Sequence, residues 1–170
     1  MNHASRETAG GHAGATIQIN AIKYPDGKVT VTPLDQDVFL LTVQEVINAC
    51  HAARGDGLAL QKFELLLRRL GAWVIEMGPA VREAYLTRRD GGLCFLVIKS
   101  EPLYDREFED ALSELYLGLT REHELFPFDL EVMSLPPAPE ESLRSFLGSS
   151  TLEFRSSDVR APSERGPLSA

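Results

Sequence analysis

Residues 93–98 constrain the fold of this chain more than any other stretch, because Leu93, Cys94, Phe95, Leu96, Val97 and Ile98 run without polar alternation. A strand of that composition needs cover on both faces. A helical pattern follows, and residues 128–135 supply a second strand, so residues 93–147 read as strand, helix, strand, helix. The connection from Lys99 to Pro127 is long enough for a parallel crossover, which is right-handed almost without exception.

The preceding residues read as a hairpin and two helices. Residues 16–34 have strand composition broken at Pro25, Asp26 and Gly27, which marks a hairpin, and a phase change at Ala21 and Ile22 suggests a bulge. Thr42 followed by Glu45 has the pattern of a capping box, opening a helix with the stripe Val43, Val46, Ile47 and Cys50 that ends at Gly55, Asp56 and Gly57. The next stripe has the clearest helical period: Phe63, Leu66, Leu67, Leu70, Trp73, Val74 and Met77. Pro79 would kink that helix or restart it, with Val81, Ala84 and Tyr85 extending the stripe to a stop at Gly91 and Gly92. Asp105 is placed to cap the crossover helix, whose apolar stripe is Phe108, Leu112, Leu115 and Leu119. Pro136, Pro137 and Pro139 then lead into a short helix with Leu143, Phe146 and Leu147.

The expectation is therefore one α/β domain, with α+β as the alternative: an N-terminal β-hairpin, a helical hairpin and a βαβ unit with a short closing helix, forming a mixed sheet packed against helices. It is expected to span residues 16–154. Residues 1–15 and 155–170 lack an apolar face and are expected to be disordered tails. A length of 170 residues with 44% hydrophobic content suits one full core.

The formal charge of −8 is uneven: residues 1–91 balance, and residues 92–170 carry all of the excess acid. An acidic surface opposes phosphate binding, which argues against nucleic acid. The apolar runs are short of a membrane span and residues 1–15 lack a secretory apolar stretch, so the chain is expected to be soluble and cytoplasmic. Cys50 and Cys94 fall in apolar patterns, as reduced buried thiols do.

Asp129 and Glu131 stand two apart on the second predicted strand, so both carboxylates would project from one face and could hold a divalent metal. The segment Asp129-Leu130-Glu131, with Gly118 upstream, resembles the palm strand of the nucleotidyltransferase family, where an acidic pair follows a Gly-Ser turn. In this chain Leu119 rather than Ser follows Gly118, inside a helical pattern. The resemblance would make Asp129 and Glu131 metal ligands of a divergent transferase or hydrolase.

Other candidates reduce to structure. Cys50 and His51 are neighbours on a helical pattern and point about 100° apart, so they do not form a nucleophile and base by themselves. His123, between Glu122 and Glu124, suits a helix end. His3, His12, His51 and His123 are scattered without zinc spacing, a copper or nickel site at Met1-Asn2-His3 is not assigned, and the glycine pairs lack a phosphate-loop context. Arg68, Arg69, Arg82, Arg88 and Arg89 precede the acidic half and read as an ordinary solvated helix surface; in a protein that recognises another protein, the contrast would give two faces of different charge. The expected function is therefore non-catalytic, as an adaptor or accessory subunit acting through contacts with another protein or with itself, and no cofactor is expected. The sequence does not specify an oligomeric state.

Overall fold

Strands β1 (Thr16–Lys23) and β2 (Val29–Pro33) form the expected N-terminal hairpin. The structure, a computed structural model, describes residues 16–50, 57–148 and 150–158. The expected bulge is absent: the pairing from Ile19–Pro33 to Lys23–Val29 is continuous. Ile17, Ile19 and Ala21 face the core in strict alternation, while Ile22 turns to the other face, so two adjacent apolar residues reflect two faces and not a change of phase. Ala21 is small for a reason. A Cβ on Gly71, in the helix above, would lie 2.9 Å from that of Ala21.

Helix α1 (Gln36–Ala49) starts earlier than the Thr42–Glu45 pattern implied, because Asp35 caps it by accepting from the Val38 amide at 3.1 Å. Val38, Leu40 and Leu41 are exposed on its first turns, and their presence blurs the amphipathic signal there. Cys50 closes the helix, buried, and Gly57 lies in the turn before α2 (Ala59–Met77). Gly55 and Asp56 fall outside the described residues. Helix α2 buries the expected stripe, and the Trp73 indole N–H donates to the Ala111 carbonyl at 3.3 Å.

The chain does not continue as helix after α2. Gly78, at φ +50°, ends α2, and a 3-10 turn (Gly78–Ala80) carrying Pro79 leads into strand β3 (Val81–Arg89). Asp90 and Gly91 take φ values of +46° and +83°, a two-residue turn whose twist suits a hairpin. Gly91 is thus a turn residue and Gly92 opens strand β4 (Gly92–Lys99), buried along its whole length. A side chain at Gly92 would put its Cβ 2.5 Å from the Asp129 carbonyl oxygen, so the neighbouring backbone demands glycine there.

Helix α3 (Arg106–Arg121) is capped by Asp105, which accepts from Glu107 and Phe108. It crosses to strand β5 (Leu130–Leu135), parallel to β4 as expected. Helix α4 (Glu140–Arg144) follows, with Leu143 buried. The sequence did not reveal strand β6 (Thr151–Asp158), which runs past the boundary drawn at Arg155 and pairs between β1 and β3.

The α/β class and the mixed sheet stand. The six strands among the described residues lie in the order β2-β1-β6-β3-β4-β5, with β1–β6 and β4–β5 parallel. One face carries α1, α2 and α3 over the main core, where Trp73 packs edge-on against Phe95 and Phe108 at 5.9 and 5.8 Å. The other face buries Cys94, Leu96 and Ile98 beneath Leu143 and the partly buried Leu147.

Candidate functional site

The edge strand β5 is fixed by one short hydrogen bond, in which the Leu93 amide donates to the Asp129 carbonyl at 2.7 Å. Successive residues of a strand aim their N–H and C=O groups at opposite edges. Asp129, Glu131 and Met133 therefore address β4, and Leu130, Val132 and Ser134 address the outer side. β5 ends the strand order, and no described strand pairs with that outer side. Three donors and three acceptors stand along it.

A groove of ≈ 680 Å³ runs between this edge and α3, lined by Leu112, Ser113, Tyr116 and Leu117 together with Val132 and Ser134. Tyr116 and Leu117 remain 43% and 47% exposed. Tyr116 also borders a second hollow of ≈ 400 Å³, with Leu66, Phe126 and Phe128 in its wall. The two acids that touch the groove are already partnered. Glu109 meets Lys99 at 3.2 Å and accepts from the Ser134 hydroxyl at 3.0 Å; Glu131 meets Arg89 at 3.6 Å. The Lys99 side chain is only 11% exposed, so its pairing with Glu109 ties α3 to β4 and β5.

Of the acidic pair singled out by sequence, Glu131 lies in β5 and Asp129 immediately before it. Asp129 precedes β5 and lines the second hollow, whereas Glu131 sits in β5 opposite Cys94 and borders the groove. Gly118 lies within α3, not on a turn. Among the described residues, no three of His, Cys, Asp and Glu gather into a metal-binding group. His123 is exposed on the rim of the second hollow. Met1, Asn2, His3, His12 and His51 lie outside the described residues.

Burial raises the Cys50 thiol above its ordinary value, against a lowering by Arg88 and with a further rise from Asp129. Burial likewise raises Cys94, helped by Glu131 and opposed by Arg89. Both are free, buried and protonated near neutrality, which makes them poor nucleophiles. The acidic α3 packs on the same face as α2, and Arg69 reaches Glu122 at 3.7 Å.

Tyr116, Leu117, Val132 and Ser134 were not singled out by sequence. A signal existed: Tyr116 and Leu117 widen the apolar stripe of α3 beyond what one core face needs, and β5 holds neither Pro, Gly nor Lys. No protein-family model matches the chain, and comparison with curated proteins and with solved structures returns no similar protein. Among the described residues, no helix is long and apolar enough to cross a membrane.

Proposed function

We propose that this chain is a cytoplasmic adaptor or accessory subunit that acts without catalysis, holding a protein by taking an extended segment onto the outer edge of β5. One observation carries the reading: three consecutive outward backbone positions, Leu130, Val132 and Ser134, border a groove whose rim holds half-exposed Tyr116 and Leu117. Strand addition uses such a surface, with main-chain hydrogen bonds giving affinity and alternate side chains filling the groove. The metal-dependent alternative gains no support from Asp129 and Glu131, which border different cavities.

Val132→Pro tests the reading, because it removes an outward donor and leaves the β4 ladder intact. In affinity capture from a native extract, proteins retained by the wild type should fall about tenfold or more with Val132→Pro, a loss of 1.4 kcal/mol. Equal retention by both proteins would place the contact elsewhere.

A further inference from the structure

We propose that the β5 edge is occupied by a second copy of this chain, paired antiparallel about a twofold axis through Val132, so that two six-stranded sheets continue as one. The inference rests on reading this edge as a contact surface and names what fills it.

Charge is the first argument. Glu109 is held by Lys99 and Ser134, and Glu131 by Arg89, so the groove offers no unpaired carboxylate to a basic peptide. It favours a neutral, apolar strand, and β5 itself is one: Leu-Glu-Val-Met-Ser-Leu, with its single acid already paired within its own copy.

Register is the second. Antiparallel pairing sets outward residues against outward residues, which leaves three central choices. An axis through Glu131 would put two carboxylates directly opposite, a destabilising pair. An axis through Met133 would set Leu130 against Pro136, which has no N–H to give. An axis through Val132 pairs Leu130 with Ser134 twice and Val132 with its own counterpart. Each Glu131 then faces a Met133, and all three outward positions of both strands are used.

The same axis stands perpendicular to the sheet, so both helical layers stay on one side and the two α3 helices become neighbours. Tyr116 and Leu117, half-exposed in a single chain, lie where that approach covers them. An interface of this kind is isologous and closed, which limits assembly to two copies.

Light scattering on the purified full chain, from micromolar to hundreds of micromolar, should give a mass rising to twice the 18.8 kDa of one chain. Val132→Pro should stay monomeric. Val132→Cys keeps the test sound if the proline variant folds poorly: a hydrogen-bonded antiparallel pair sets its Cα atoms about 5.5 Å apart, within reach of a disulfide. Oxidised glutathione should then link two Val132→Cys chains and leave Glu131→Cys chains unlinked. A wild type that stays monomeric overturns the proposal, and if Val132→Pro still loses captured proteins, the edge remains a contact surface for a different chain. A dimer that Val132→Pro leaves intact, with no Val132→Cys link, also overturns it.

Discussion

The sheet has two edges of nearly equal length, and they are built differently. On β2, the Tyr24 amide donates to Lys28 and the Leu34 amide to Gln18, so Lys28, Thr30, Thr32 and Leu34 address β1. Val29, Val31 and Pro33 address the outside, and Pro33 has no hydrogen to donate there. Val31 and Phe39 of α1 line a hollow of ≈ 200 Å³ whose rim carries Glu64 and Arg68. β5 has the opposite character: every outward position keeps its donor, and the adjoining groove is larger and apolar on its rim. Natural sheets blunt their edges with proline, charge and short strands. β2 follows that practice through Pro33, whereas β5 carries one charge, Glu131, and keeps a donor at every outward position.

Proline at an inward and at an outward position of β5 should have very different costs. Met133→Pro removes a donor aimed at the buried strand β4 and should cost about 3 kcal/mol or more. Val132→Pro, one residue away, breaks no bond to β4 but trims a side chain partly buried against the core, and should cost about 1 kcal/mol. Chemical denaturation of the two variants checks both values, and similar losses would mean that the outward positions are misassigned. A smaller effect concerns the anchoring of the groove. Glu109→Ala leaves Lys99 buried without its carboxylate and should cost on the order of 2 kcal/mol. A denaturation midpoint indistinguishable from wild type would show that this pair does not hold α3 against β5.

The elements visible in sequence were those whose pattern is local. β4 shows as an unbroken apolar run, α2 and α3 as stripes of helical period, and the first hairpin as a glycine-closed turn. β3 was lost because Val81, Ala84 and Tyr85 fit a helical spacing as well as a strand, although Asp90-Gly91 is a hairpin signal that would have decided between them. Among its described side chains β6 buries two apolar ones, Leu152 and Phe154, and its place between β1 and β3 depends on pairing across most of the chain. The candidate site was hidden for a related reason. Whether Leu130, Val132 and Ser134 meet another strand depends on strand order, which no local pattern encodes.

Amide hydrogen exchange, read residue by residue across a concentration series, separates the two edges. The amides of Leu130, Val132 and Ser134 should exchange slowly in concentrated protein and speed up on dilution, as the second copy leaves. Those of Val29 and Val31 should exchange quickly at every concentration. Outward β5 amides that exchange as fast as those of β2 throughout the series would contradict the claim that this edge is a contact surface between copies.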